Sequence, residues 1–492
     1  MVQRIFWLSS VIFVLSAWLV WHTAAPARVD SGVLQVAWQA DQTWTVPGLA
    51  VRWDASVEQL SIHDNQSQAW ASSPGQSWLG AGYVDEAKTV GLRNARNPMR
   101  QLVLCSSPSW TQMEVMDGAG NAYLRLNGTL HCALEDTLPV VLDMHPLPQG
   151  GVSLQWAIDG PVEFSFLDFE RAENERFSGF GAQTKALSVS AGRKIMQPRS
   201  ASSPVVDATA QPKPAHSWDD PLTEQSDAGA WPVVMSTASR ALLAEADGSL
   251  VLDLQVPNEV RIESWGGAGG QVSVRADASP KALSTWIYSL QSGPQGLPGW
   301  ASAQAIVGTS RRGTELDALL LDLQAMDTPV SQVLLERAGQ PMAWLDWPTD
   351  SQSAGTVPLP GAFPHPGQPW PPMVTLPDLT AGWGPQSGLQ GSLTALLAAG
   401  VSGMSIVHAP VGGTRQAQQL WWRSGRSGEL FLRWLELNTF TAWLRLHEGD
   451  VPAAHFQMTD SAGGQVHFYR MAKLYEGLAS YRTRLTEEAV EH

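Results

Sequence analysis

The amino-acid sequence predicts an antiparallel β-sandwich followed by alternating strands and helices. Three observations carry that reading. Residues 33–170 contain many short apolar runs separated by turn residues. From Ala301 onward, strand-like runs alternate with segments whose apolar residues recur at helical spacing. The chain has 492 residues, enough for several domains and a sizeable core.

The sandwich elements are read in order. Leu34–Trp38, Leu49–Val51, Leu102–Leu104, Tyr123–Leu126 and Val152–Trp156 are short apolar-rich runs. The run ending at Leu126 leads into Asn127-Gly128, a strong hairpin signal. A polar, Pro- and Ser-rich stretch spans about 197–228 and reads as a functional or disordered loop. Strand patterning resumes at Val233–Met235 and Leu250–Leu254, and a helix is expected over Lys281–Leu290. The boundaries are therefore 33–300 for the sandwich and 301–492 for the second part.

The second part opens with the run Ala305–Val307. Thr314-Glu315-Leu316-Asp317 then starts a helix with a capping-box-like pattern, and Leu316, Leu319, Leu320 and Leu323 supply its apolar face. Val330–Leu335 completes a β-α-β unit. Residues 348–372 are rich in Pro, Gly and Ser and carry little periodicity. Further expected elements are a strand at Met373–Leu376, a helix at Leu389–Ala399 and a strand at Met404–Val407. A helix at Gly428–Thr439, a strand at Trp443–Leu446 and a helix at Val466–Arg482 follow.

Composition narrows the function. Apolar residues make up 44% and charged residues 16%, which argues against a disordered chain. With 46 acidic and 31 basic residues the formal net charge is −15, so nucleic acid is excluded as an expected partner. The 23 Trp against 6 Tyr serve either a Trp-rich core or flat apolar platforms for sugar rings. Cys105 and Cys132 are too few for a disulfide scaffold; paired or reduced, they remain open alternatives. No Walker loop, Rossmann glycine pattern, nucleophile elbow or paired-His motif occurs, so neither cofactor nor metal is expected.

Arg4 precedes an uncharged apolar run, residues 5–21, and the next charge is Arg28. One basic residue ahead of such a run is an export signal. Its length is at the short limit of a membrane span, and Trp18 and Trp21 suit an interface. Residues 1–28 are read as a signal anchor in an inner membrane or, after cleavage near Ala25-Pro26-Ala27, as a signal peptide. Either way the body is expected in the periplasm, where a disulfide is permitted.

The segment Phe431–Gly449, FLRWLELNTFTAWLRLHEG, resembles glycoside hydrolase family 31 near the end of its barrel, through Arg433, Trp434, Phe440, Arg445 and His447. His447-Glu448-Gly449 and the downstream Phe456-Gln457 look most like the family's sulfoquinovosidase branch. Glu175–Gln183 resembles the loop joining sandwich to barrel, Leu297–Trp300 the approach to the first barrel strand, and Gly412-Gly413 the end of an Asp-Ile-Gly-Gly motif. The resemblance implies a galactose-mutarotase-like sandwich and a TIM-type (β/α) barrel. It also implies a retaining α-glycosidase, in which a nucleophile and an acid stand roughly 5–5.5 Å apart at the C-terminal ends of barrel strands.

This sequence departs from that pattern. Residues 301–492 are fewer than the about 250 of a typical barrel, which implies an incomplete, open one with about six strands. Its strand edges need cover from residues 348–372 or a protein partner. Asp346, in Ala343–Trp347, is the candidate nucleophile. Trp383 or Gly384 stands where the acid is expected, Pro410 replaces the Asp of Asp-Ile-Gly-Gly, and Asp378 is a substitute acid or a turn carboxylate. Arg445 and His447, at strand positions i and i+2, share one face and are the candidate sugar contacts, with Trp434 and Trp383 beside them or in the core. Arg311-Arg312 reads as an anion site or a solvated pair, and His216–Asp220 as a pocket lip. The expectation is an exported, catalytically degenerate family 31-like protein that takes a glycan or glycoside ligand or partners a carbohydrate-active enzyme or envelope assembly. An active α-glycosidase and a structural subunit are the alternatives.

Overall fold

The computed structural model describes residues 34–85, 101–197, 230–290, 305–346, 354–355, 374–418 and 423–491, apart from internal gaps of one to three residues. The 5–21 segment, the His216–Asp220 loop, Leu297–Trp300, Arg312, Asp378 and all of 348–372 except Ala354–Gly355 lie outside the described residues.

The N-terminal part is a folded-over antiparallel sheet. One hydrogen-bonded path runs from Ser188–Val189 through Phe177–Gly181, Ala230–Ser236, Arg240–Glu245 and Gly269–Ala276 to Val152–Ile158. It continues through Thr137–Pro146, Asn121–Cys132, Gln101–Gly118, Leu79–Asp85 and Phe164–Glu170, then Glu259–Trp265 and Ser249–Asp253, ending at Arg193–Gln197. Strands distant on this path face each other across the core. The Trp156 indole N–H donates to the Ser165 hydroxyl at 2.9 Å, and Leu154, Leu167, Ile262 and Val272 share one apolar cluster. Alternation explains it: along Thr137–Pro146, Leu138, Val140, Leu142 and Met144 point inward. A separate four-stranded meander, Gln42–Val46, Leu49–Asp54, Gln59–His63 and Gln68–Ala71, packs its Trp53 and Trp70 into the same cluster.

The expected turn at Asn127-Gly128 is not one. Strand Asn121–Cys132 runs straight through it, and the hairpin closes where Gly118 pairs with Asn121. Gly128 instead makes room for an aromatic ring: a Cβ there would lie 2.5 Å from a Trp110 ring carbon. Packing, not turn chemistry, explains that glycine. Further along the same pair of strands Cys105 faces Cys132, and the two form a disulfide.

The second part is α/β as expected. Ala305–Thr309 pairs in parallel with Val330–Arg337 on one side and Arg445–Leu446 on the other, and Val374–Thr375 pairs in parallel with Val407–His408. The His408 ring Nδ1 donates to the Trp443 carbonyl at 3.2 Å, which ties the second pair to the first sheet. Five parallel strands are thus present among the described residues. The sixth, Gln340–Asp346, is antiparallel, hairpinned onto Val330–Arg337. Helices Thr314–Ala325, Leu389–Val401, Gly428–Thr439 and Ala462–Gly477 cover the outside, with Leu316, Leu319, Ala395, Phe431 and Phe468 buried against Val307, Val407 and Leu446. The last expected helix is divided at Leu478, with Ala479–Glu491 following. The barrel core also takes Trp231, Val233, Leu283 and Trp286 from the sandwich side, and the Gly181 N–H donates to the Ser402 hydroxyl at 2.8 Å.

Candidate functional site

Alternation along the short barrel strands decides what enters the barrel. Leu446 and Val407 belong to the apolar layer between strands and helices. Arg445, His447 and His408 therefore lie on the opposite, interior face, and all three are buried. Trp443 joins them, with its ring centroid 5.0 Å from that of His408 and the Arg445 guanidinium 5.9 Å from its own.

The protonation states follow from burial. Loss of solvent pushes His408 down to about 3, helped by the positive charge of Arg445 and opposed by the Trp443 carbonyl. The same loss of solvent holds His447 well below the ordinary histidine range, with Arg426 and Arg445 adding to it. Both rings are neutral at physiological pH. A carbonyl can only accept, so His408 carries its proton on Nδ1 and presents Nε2 as an acceptor. That Nε2, both ring nitrogens of His447 and the Trp443 indole N–H lack hydrogen-bond partners.

Arg426 holds this region in shape. Its guanidinium donates to the carbonyls of His447 at 2.7 Å, Phe456 at 2.7 Å and Val411 at 3.0 Å, and to the Gln457 side chain at 3.0 Å. The Gly412-Gly413 turn beside it is glycine by necessity. Both residues have φ of +77°, and a Cβ on Gly412 would lie 2.5 Å from Arg426 Cδ. The Pro410 carbonyl closes the turn by accepting from the Gly413 N–H at 3.0 Å.

The carboxylates that follow His447 in the chain are already engaged. Glu448 accepts from the Thr309 hydroxyl at 2.6 Å and lies 3.3 Å from Arg311. Asp450 pairs with His455 at 2.8 Å and accepts from the Val451 N–H. Burial lowers the His455 pKa despite that bond. Arg311 also donates to Thr459, so this member of the expected Arg311-Arg312 pair is engaged with Glu448 and Thr459. A cavity of about 20 Å³ lies beside His447, Glu448, Arg311 and Gln457, room for a water molecule and far less than a sugar ring needs.

The remaining candidates separate. Trp434 is fully buried on the helix side with Phe431 and Leu435: it is a core residue, not a ligand contact, because helix Gly428–Thr439 packs outside the barrel. Trp383 is 51% exposed on the loop before helix Leu389–Val401. Asp346 lies at the wrong end for a nucleophile. Register sets it opposite Gln332, level with Ile306 and Arg445, and its strand runs antiparallel, so its C-terminal end meets the N-terminal face of the barrel. Its strand is also three places from Arg445–Leu446, roughly 14 Å along the sheet at the usual strand spacing. Sequence reasoning missed His408 and Arg426. Alternation from Val407 would have flagged the first; nothing local marks the second.

No protein-family model matches the chain. Its sequence is similar to sulfoquinovosidases from Agrobacterium fabrum (strain C58 / ATCC 33970), 29% identical over 120 residues, and Escherichia coli (strain K12), 30% identical over 109 residues. Those matches cover 24% and 22% of this chain but only 18% and 16% of the two relatives. In fold, a family 31 sulfoquinovosidase from E. rectale, solved with the aza-sugar inhibitor IFGSQ, superposes with a TM-score of 0.58 at 14% identity, over 92% of this chain and 85% of that one. The chain is thus similar in fold, over most of its length, to a solved family 31 sulfoquinovosidase, and similar in sequence, over the matched segment, to two further sulfoquinovosidases.

Proposed function

We propose that the protein is an exported, carbohydrate-binding relative of family 31 that lacks the family's hydrolytic pair and acts as a partner of a carbohydrate-active enzyme or envelope assembly. One observation carries this reading: neutral His447 and His408 sit beside Arg445 inside the barrel, while Trp383 or Gly384 stands where the acid is expected and Pro410 replaces the Asp of the Asp-Ile-Gly-Gly motif. Retaining hydrolysis needs two carboxylates roughly 5–5.5 Å apart, and the strand of Asp346 stands three places from Arg445–Leu446, roughly 14 Å along the sheet. Without the nucleophile the covalent route is lost, and loss of a general acid alone removes about 10²–10⁴-fold in rate. Export is supported by the apolar run after Arg4 and by the Cys105–Cys132 disulfide, which suits an oxidising compartment.

The test is purified protein against aryl α-glucosides and aryl sulfoquinovosides, with calorimetric titration of the methyl glycosides. We expect no turnover above background, and binding that is lost in His447→Ala. Robust turnover would refute the reading. Fractionation of the producing cells checks export; a cytoplasmic, reduced protein would remove that part. A second reading, a structural subunit that kept the fold without the ligand, is favoured by the small cavity beside His447. It predicts no binding of any of these sugars.

A further inference from the structure

The two C-terminal helices carry an apolar row on a face that does not pack on the barrel. Hydrogen bonds run across their division: the Leu478 N–H donates to the Leu474 carbonyl at 3.2 Å, and the Arg482 N–H to the Leu478 carbonyl at 3.0 Å. Ala462–Gly477 and Ala479–Glu491 therefore follow one another as one helical rod. Its inner face is Phe468, Ala472, Tyr475, Arg482 and Thr486, all buried. A second row lies about a quarter-turn round from that face. There Leu474 is 41% exposed, Tyr481 60% and Leu485 44%, and Leu478 is half-buried. The row advances in steps of four, three and four positions, the spacing of a seam against another helix. Its outer border is charged. Arg470 and Glu488 are both exposed and stand eighteen positions apart, or five full turns. They therefore flank the row on the same side, one at each end.

Steps of four, three and four read the same in either direction, so an antiparallel copy of the rod presents the same row. With a two-fold axis between Ala479 and Ser480, Leu474 of one copy meets Leu485 of the other, and Leu478 meets Tyr481. The charges fit the same axis. Arg470 of each copy stands opposite Glu488 of the other, within one residue of register, about 1.5 Å. A parallel pairing would instead set Arg470 against Arg470 and Glu488 against Glu488, which repel. We propose that this face docks a second copy of the chain, rod against rod and antiparallel, in a two-fold dimer. A second copy is the occupant because both the row and its bordering charges are complementary to themselves. A lipid surface fits less well, since the row is one side chain wide and is bordered by the carboxylate of Glu488. Glu488 also lies 2.9 Å from Arg484, an exposed pair that contributes little by itself and leaves the carboxylate able to meet Arg470 of the other copy. One rod per copy makes an interface at the low end of the usual size range, so the dissociation constant is expected on the order of 10 µM.

The test is sedimentation of the purified full chain at loadings from about 1 to 100 µM, a range that brackets that constant. Salt is kept at about 0.15 M, which screens the long-range repulsion between two copies of net charge −15. Thermal melts confirm that each variant is folded, and all the substituted side chains are exposed. A monomer–dimer equilibrium is expected, and Leu485→Lys should abolish it by placing a charge in the seam. Arg470→Glu and Glu488→Arg should each weaken it roughly tenfold, because one substitution turns both symmetric attractions into repulsions. The first variant carries acid at both positions and the second carries base at both, so each repels itself and fits the other. An equimolar mixture should therefore restore the dimer. Positions 470 and 488 are about 27 Å apart along one helix, so that recovery cannot arise within a single chain. A protein that stays monomeric at about 100 µM, ten times the expected constant, would overturn the proposal. So would a dimer that Leu485→Lys leaves unchanged, or one that the mixture fails to restore.

Discussion

The Cys105–Cys132 disulfide offers a quantitative test of how the sandwich is held. The two residues face each other in neighbouring antiparallel strands, with Cα atoms 3.9 Å apart, and the bond closes a loop of 27 positions. In the chain-entropy description a loop of that length removes about 12 cal/mol/K from the unfolded state, or about 3.5 kcal/mol at 25 °C. For a sandwich of this size that corresponds to roughly 7–14 °C in melting temperature. The double variant Cys105→Ala/Cys132→Ala removes the bond without leaving a buried thiol. Urea unfolding followed by Trp fluorescence is a suitable assay, because Trp110 lies on the same strand as Cys105, stacked on Trp78 with ring centroids 4.7 Å apart. The oxidised protein should exceed both the double variant and the reduced protein by about 3.5 kcal/mol. A difference below about 1 kcal/mol would refute the reasoning. It would mean that the hairpin closing at Gly118 and Asn121 already persists in the unfolded chain, so that the cross-link removes little freedom.

Three further outcomes are expected. Burial depresses His408 and His447, so the folded protein binds fewer protons than the unfolded chain as pH falls below about 6.5. The stability they contribute is present above that pH and lost below it, at up to about 1.4 kcal/mol per histidine per pH unit until the folded pKa is reached. Urea midpoints measured between pH 7.5 and 5 should fall, and His408→Asn should flatten the fall. Trp434→Ala should destabilise by about 3–5 kcal/mol through cavity formation, read as a lower urea midpoint, because the side chain is fully buried among Leu430, Phe431 and Leu435. Asp346→Asn should leave methyl glucoside affinity unchanged by titration calorimetry, since its strand stands three places from Arg445–Leu446.

Helix Gly428–Thr439 matches its expected limits because its signals are local: Ser427 caps it, accepting from the Leu430 N–H, and its apolar residues recur at helical spacing. The strand Val152–Ile158 was equally open to reading, through the run Val152–Trp156. The same local rule failed at Asn127-Gly128, where the glycine answers to the Trp110 ring on a neighbouring strand. Nor could the order of residues reveal that Gln340–Asp346 turns back antiparallel, which brings Asp346 opposite Gln332. Composition, period and the Phe431–Gly449 segment alone determined the class of fold and its family resemblance, because these depend on neighbours in the chain. Tertiary structure decided the site. His408 meets Trp443 and Arg445 from a strand more than thirty positions away, and whether a nitrogen buried there finds a partner depends on every strand that closes around it.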